Sequence, residues 1–463
     1  MKVEQIYTSC LSQGAYFIES NGEAAVIDPL REISNYLKLA EDSNSKIKYV
    51  FETHFHADFI SGHLTLANKT GAKIVYGPQA DPNFESIIAE DNQVFKIGAV
   101  TITAVHTPGH TLESTSYILK DENGKEHCIF TGDTLFLGDV GIPDVAQRYM
   151  GVSKEELAGI LYESVNNRIK PLPDNILVYP GHGAGSACGK NMMKETVDTL
   201  ENQKKINYAL NGSFSKEGFV KELTDNLPEP PTYFPSNVKL NQEGYLDFDK
   251  VLERGLIPLE LEKFISLSSQ ENTIILDVRN QNVFKNGFVP GSIFIGLNGG
   301  FAPWVGAVLK DINIKILLVC DKGQAKEAIM RLSRVGFDNC LGYLKGGFKT
   351  WQNSSNPIDT IDSKSAKDFE KSVNDNINIL DVRQVGERNN GYLKNSEHIP
   401  LALIDSDNKS LNKSWKYYVH CAGGYRSMIA CSILKKKGFD NTIDVEGGFG
   451  SISNNTSLEI LQN

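Results

Sequence analysis

Between Phe51 and His63 the chain reads Phe-Glu-Thr-His-Phe-His-Ala-Asp-Phe-Ile-Ser-Gly-His, directly closing the apolar run Tyr49-Val50-Phe51. The spacing puts His54, His56 and Asp58, at alternate positions, at the mouth of a buried strand. A strand end holds its backbone rigidly, and the turn beyond it can aim several imidazoles at one point, as a metal with directional ligands requires. Iron and zinc both suit such a cluster. Three later segments repeat the arrangement: Thr107-Pro108-Gly109-His110 after Thr101–Val105, Thr131-Gly132-Asp133-Thr134 after Cys128–Phe130, and Tyr179-Pro180-Gly181-His182-Gly183 after Ile176–Val178. Turn chemistry accounts for the glycines and prolines, but not for a His or Asp at every one of these strand ends.

The order H-x-H-x-D, then His, Asp and His strand ends, resembles the metallo-β-lactamase superfamily. The resemblance implies an α/β fold, an αββα sandwich of two mixed sheets face to face with helices outside and a site along one sheet edge. The family pattern continues with a histidine after the aspartate, where this chain has Phe59. In dinuclear members that histidine and the aspartate bind a second metal, so the departure points to a single ion. Within the superfamily, Thr-His-x-His-Ala-Asp with a downstream Ser-Gly-His is similar to the persulfide dioxygenases. This carries the ligands of one Fe(II) per chain onto His54, His110 and Asp133, and two imidazoles with one carboxylate form the facial triad of non-haem iron oxygenases. His56, Asp58 and His182 then orient the ligands or face the substrate. Members of the family usually carry Arg where Ile142 stands, so the resemblance carries no substrate-anchoring arginine over from that loop, and Arg148 is not assigned that role in its place.

After His182 comes Gly183-Ala184-Gly185-Ser186-Ala187-Cys188-Gly189-Lys190. A cysteine in a glycine-rich turn beside the metal edge is either an inert small residue or a reactive thiol, with Lys190 favouring the thiolate. Fused persulfide dioxygenases resemble this stretch closely, which implies that Cys188 receives or relays persulfide sulfur.

At 463 residues the chain has room for two to four domains with ordinary cores. Its formal charge of −10, from 47 basic and 57 acidic side chains without a basic block, argues against a nucleic-acid partner. Met1 to Leu11 has neither a basic segment nor a sustained apolar one, so no signal peptide is expected, and no apolar run approaches the ~18 residues a bilayer requires. Seven cysteines, an odd number without C-x-x-C spacing, suit a reducing compartment, and the expected location is the cytoplasm.

Residues 1–245 read as one α/β unit. Strands are expected at Ala24–Asp28, Ile74–Tyr76, Val100–Val105 and Ser116–Leu119, and helices at Glu32–Ala40 and at Ser153–Val165, where Ser153 and Glu156 form a capping-box pattern. Pro228 to Pro235 reads as an extended arm from which helix and central strand are excluded.

From about 255 the chain repeats itself. Ile274–Arg279 returns as Ile377–Arg383, Ile316–Cys320 as Trp415–His420, Gly336–Asn339 as Gly438–Asn441, and Lys345–Phe348 as Glu446–Phe449. The offset is 104 positions from Asp277 to Asp381 and 101 from Gly347 to Gly448, so one domain of about that length has been duplicated, giving units at 246–357 and 358–463. Strands alternating with helical segments at Gln324–Val335 and Ser427–Lys437 predict a doubly wound parallel sheet in each.

The Asp-Val-Arg strand ends and the Gly-Gly-Phe closes resemble rhodanese sulfurtransferase domains. In the second copy the corresponding loop is Cys421-Ala422-Gly423-Gly424-Tyr425-Arg426, which opens a helix. Its N–H groups form a nest that favours an anion, so Cys421 serves as thiolate nucleophile and the loop holds the charged persulfide, with Arg426 orienting an oxyanion by a forked hydrogen bond. In the first copy, aligning Val319-Cys320 with His420 and its predecessor puts Asp321 in the nucleophile's slot or Cys320 just ahead of it. An aspartate there cannot accept sulfur, and 301–310 also departs from the rhodanese pattern, so this copy is expected to be catalytically silent.

The whole chain thus resembles persulfide dioxygenase–sulfurtransferase fusions of the CstB type. The resemblance implies that iron and O2 oxidise a low-molecular-weight thiol persulfide to sulfite, that Cys421 passes sulfur to sulfite to give thiosulfate, and that the protein is a homo-oligomer with no nucleic-acid or membrane partner. The competing reading is a zinc-dependent glyoxalase II-type thioester hydrolase fused to a sulfurtransferase.

Overall fold

A computed structural model of the chain describes residues 1–463 except 144–150, 226, 228–229, 375–376, 407–409 and 463. The chain divides into two compact units, Met1–Phe248 with Ser333–Gly336, and Asp249–Leu332 with Phe337–Asn463.

In the first unit the strands are β1 (Lys2–Thr8), β2 (Gln13–Ser20), β3 (Glu23–Ile27), β4 (Lys46–Phe51), β5 (Lys73–Tyr76) and β6 (Ile87–Ile88), then β7 (Val94–Ile97), β8 (Val100–His106), β9 (Thr115–Lys120), β10 (Glu126–Gly132), β11 (Leu177–Pro180) and β12 (Asp198–Thr199). Each set of six forms one mixed sheet with its strands side by side in chain order. The period of two explains the layering. Along β2, Tyr16 and Ile18 enter a core shared with Tyr117, Leu119 and Phe130 of the other sheet, while Ala15 and Phe17 turn outward onto Tyr36, Ala40 and Leu66 of helices Ser34–Asp42 and His63–Thr70. The second sheet does the same, with Ile118, Ile129 and Val178 packed on Leu161 and Phe219 of helices Lys154–Ser164 and Lys216–Thr224. Strands buried on both faces read as near-continuous apolar runs, and the result is an αββα sandwich.

Helix Lys154–Ser164 begins with the expected capping box and continues into a π-helical turn at Val165–Ile169. The proline-rich arm differs from expectation at its end. Helix Phe234–Glu243 starts inside it, with Pro235 in the first turn, where a missing N–H costs nothing. No helix among the described residues is long and apolar enough to cross a membrane.

The second unit adds β13 (Pro258–Leu259), β14 (Thr273–Asp277), β15 (Ile293–Phe294), β16 (Lys315–Val319), β17 (Cys340–Leu344), β18 (Asp362–Lys364), β19 (Asn378–Asp381), β20 (Tyr392–Leu393), β21 (Ser396–His398), β22 (Tyr417–His420), β23 (Thr442–Val445) and β24 (Ile460–Leu461). Two five-stranded parallel sheets result, ordered β13-β17-β16-β14-β15 and β18-β23-β22-β19-β21, which is one topology used twice. In the second, Phe369 and Ile452 pack with Ile379 and Ile443 on one face, and Ser427 of helix Tyr425–Lys436 reaches Asp444 on the other.

Sheet register settles the alignment of the two loops. Val319 lies beside Asp277 as His420 lies beside Asp381, so Cys320, rather than Asp321, occupies the position of Cys421. The segment from 301 that breaks the repeat is a helix, Phe301–Leu309.

Candidate metal centre and cysteine loop

The first unit gathers His54 from the end of β4, His110 from the loop after β8 and Asp133 from the end of β10. His54 Nε2 stands 3.9 Å and His110 Nε2 3.6 Å from Asp133 Oδ2, and the two imidazoles are perpendicular with centroids 5.0 Å apart. These gaps are below about twice a metal–ligand bond, so one ion can reach all three atoms. The tautomers are fixed from behind. Thr53 Oγ1 donates to Asp28 Oδ2 at 2.9 Å, so its lone pair accepts from His54 Nδ1 at 2.9 Å. His110 Nδ1 donates to the Ile142 carbonyl at 2.7 Å. Both Nε2 atoms are left with a lone pair facing Asp133 Oδ2, a buried oxygen without a hydrogen-bond partner. Burial holds the His54 imidazole well below its ordinary pKa, keeping it a neutral ligand. These donors fit a metal ion.

Asp58, His182 and Cys188 form a second group. His182 Nδ1 donates to Asp133 Oδ1 at 2.8 Å and Nε2 donates to Asp58 Oδ2 at 2.9 Å, so neither nitrogen offers a lone pair to an ion. Burial opposes a charge on His182, but the two carboxylates raise its pKa well above the usual value. Burial likewise works against the charge of Asp133, yet His182, His54 and His110 hold its carboxyl below the usual range. Gly181 is required at this approach, since a Cβ there would stand 2.5 Å from Asp133 Oδ1.

Cys188 is buried, and its carbonyl accepts from Ile142 N at 2.9 Å. The expectation that Lys190 favours its thiolate is not met. Lys190 Nζ donates instead to the carbonyls of Glu222 and Asp225, and burial, with Asp133 and Asp58 nearby, pushes the Cys188 thiol up.

His56 belongs to a third group with Asp28 and Glu52, Nε2 lying 3.1 Å from Asp28 Oδ1 and 3.5 Å from Glu52 Oε2. Its ring is tilted 32° to that of Phe59, with centroids 4.3 Å apart, and Phe59, fully buried, offers no ligand at the position where the family pattern expects histidine. Arg148 lies outside the described residues. Sequence reading missed Thr53, Asp28, Glu52 and the Ile142 carbonyl as partners. Thr53 and Glu52 were legible as polar residues at a strand end, while a carbonyl has no signature in sequence.

In the second unit β22 ends at His420, and Cys421 opens the loop to helix Tyr425–Lys436. Cys421 Sγ accepts from Gly424 N at 3.0 Å, and the chain folds back so that Phe449 N donates to the Cys421 carbonyl at 2.6 Å. Gly448, at φ +54°, permits this, because a Cβ would stand 2.3 Å from that carbonyl. Ala422 is half-buried and Gly423 exposed, so the loop mouth opens to solvent. Arg426 interacts with Cys421, but the fork expected to face an oxyanion is engaged by Glu387, whose two oxygens accept from Nη1 and Nη2 at 2.6 Å each. Glu387, legible only as a capping-box residue, was missed.

At the matching place in the first copy, burial and the carboxylates of Asp277 and Asp321 push the Cys320 thiol up to about 12. The residue five on from Cys320 is Ala325, where Cys421 has Arg426.

A metallo-beta-lactamase superfamily model matches residues 9–182, and a rhodanese-like domain model matches residues 260–354 and 365–455. Human persulfide dioxygenase ETHE1, mitochondrial, is 31% identical over 215 residues, spanning 45% of this chain and 74% of that protein. A hydroxyacylglutathione hydrolase of Dictyostelium discoideum is 37% identical over 171 residues, 35% of this chain and 59% of the relative's length. Among solved structures, a metallo-beta-lactamase from Staphylococcus aureus subsp. aureus COL matches with a TM-score of 0.66 at 30% identity, covering 74% of this chain and 98% of that one. The chain belongs to the metallo-beta-lactamase superfamily, as a fusion of that fold with two rhodanese-like domains and a relative of the persulfide dioxygenases.

Proposed function

We propose that the first unit is an iron-dependent persulfide dioxygenase, converting a low-molecular-weight persulfide, O2 and water into thiol, sulfite and two protons, and that Cys421 transfers sulfur to the sulfite. The observation that carries this reading is the donor set. Two imidazole lone pairs and Asp133 Oδ2 converge, while beside them Asp58 and His182 are paired with each other and position 59 is phenylalanine rather than a further ligand. Iron, when bound to such a set, supplies a redox-active centre with open positions for O2 and a sulfur ligand. Thr53 and the Ile142 carbonyl hold the imidazoles in the ligating tautomer. His182 keeps a proton between Asp133 and Asp58, and Cys188, beside them, meets the persulfide as a thiol.

In the second unit the Gly424 N–H stabilises Cys421 as thiolate and as persulfide. The sulfite sulfur attacks the outer sulfur of the Cys421 persulfide, the S–S bond breaks, and its electron pair returns to Cys421 as thiolate while thiosulfate leaves. Cys320, with a raised thiol, an aspartate beside it and no arginine five residues on, leaves the first copy silent. All seven cysteines are free, which suits the cytoplasm.

An anaerobic preparation should hold one iron per chain and consume O2 only when a persulfide is added. Similarity to hydroxyacylglutathione hydrolases favours a second reading, zinc-dependent thioester hydrolysis, which Phe59 opposes. Stoichiometric zinc, thioester cleavage and no persulfide-dependent O2 uptake would establish that reading in place of ours.

A further inference from the structure

The first rhodanese copy has Cys320 in the nucleophile slot with Ala325 in place of the loop arginine, and it also carries the helix Phe301–Leu309 that breaks the repeat. Within the second unit, this part of the first copy meets the Cys421 loop. Tyr425, the residue between the loop glycines and Arg426, donates its hydroxyl to the Gly296 carbonyl at 2.7 Å and sets its ring edge-on to Phe294, with centroids 5.9 Å apart. Gly299 lies so close that a Cβ would stand 2.4 Å from the Tyr425 ring. Further along helix Tyr425–Lys436, Ser432 Oγ accepts from Phe294 N at 3.0 Å. The Arg426 Cζ then lies over the Trp304 ring, 5.8 Å from its centroid.

Arg426 therefore has Glu387 at its fork, Cys421 nearby and the Trp304 indole beside its Cζ. The carboxylate competes with any incoming anion for the same donors. A ring beside a guanidinium holds the cation through its quadrupole without using the N–H groups, so the donors not spent on Glu387 remain available to an anion at the Cys421 loop. We propose that Trp304 of the silent copy is a positioning residue for Arg426, and that the first rhodanese domain thereby completes the sulfur-oxyanion subsite of the second. This rests on the reading of Cys421 as the sulfur-transfer nucleophile and adds a part that the loop sequence alone does not contain.

The test uses the full chain. In Trp304→Ala, the KM for sulfite in thiosulfate formation should rise about threefold to tenfold, with kcat changed less than twofold and Trp304→Phe recovering most of the loss. The same shift should appear in the sulfite concentration that half-protects Cys421 from alkylation by iodoacetamide, a readout that needs no sulfur transfer. A sulfite KM and a half-protection concentration within twofold of the parent in Trp304→Ala, or a Trp304→Phe variant as impaired as Trp304→Ala, overturns the proposal. Mass analysis of the parent separates the two readings: if Cys421 never acquires a sulfur atom from a persulfide donor, the sulfur-transfer function fails, whereas the protection assay still judges Trp304.

Discussion

Thr53 shows how much of a metal site resides in one hydroxyl. It donates its proton to Asp28 and accepts one from His54, so it decides which nitrogen of His54 faces the ion. Thr53→Val should weaken metal retention by about 10- to 100-fold in chelator competition, with Thr53→Ser close to the parent. Equal retention in the two variants would remove the tautomer argument. Asp444 is the corresponding case in the second unit, where it accepts from Ser427 Oγ at 2.6 Å. Burial raises its carboxyl to about 7, above the ~3.9 of an unfolded chain. The native state then binds a proton that the unfolded state lacks between those values, so this contribution to stability is complete below about pH 4 and is lost as pH rises through 7. Asp444→Asn keeps the acceptor and removes the titration. Its urea midpoint should exceed the parent's by more at pH 8 than at pH 5, with the two converging only near pH 4, and a constant difference from pH 4 to pH 8 would contradict the assignment.

At the scale of elements, the strand ends were legible because each breaks an apolar run with a polar residue among Gly and Pro, and the structure brings His54, His110 and Asp133 together from three of them. The arm at 228–235 departs from expectation at its end because proline excludes the interior of a helix but not its first turn. The loop alignment was not legible because sequence offsets vary around a duplication, whereas sheet register does not. The duplicated strands also differ in their support. Asp277 is buried with Arg279, and Asp381 with Arg383, each guanidinium lying over a phenylalanine ring, Phe348 or Phe449. Asp381 has a second partner, Arg388 Nη1 at 3.2 Å, where the equivalent position of the first copy, 104 residues earlier, is Phe284. Arg279→Ala strands a buried carboxylate and should cost about 3–5 kcal/mol, and Arg383→Ala clearly less, by denaturant unfolding of the two variants. Equal losses would mean that Arg388 gives no such support.

For the molecule as a whole, the proposed function has the first unit make sulfite that Cys421 consumes, and linkage in one chain would then raise the effective concentration of sulfite near its acceptor. Cys421→Ala should leave persulfide-dependent O2 uptake within twofold of the parent, abolish thiosulfate and let sulfite accumulate in its place. Thiosulfate formation persisting in that variant would place the transfer on another thiol. The strand-end motifs and the repeat foretold the type of each fold, since fold type depends on pattern. The contacts of Trp304 and Glu387 with Arg426 were out of reach, because they join residues distant in sequence through side chains that no motif marks.

Duplication has also left a matched pair of thiols at equivalent strand ends, Cys421 and Cys320, nearly equal in depth at 1% and 4% exposed. Their immediate surroundings differ, with an N–H pointed at sulfur in one loop and a carboxylate beside it in the other. A single molecule thus carries its own internal reference. At fixed temperature the ratio of electrophile uptake at 421 to that at 320 cancels reagent dose and exposure time, leaving a ratiometric gauge of how differently the two loops act on a sulfur nucleophile.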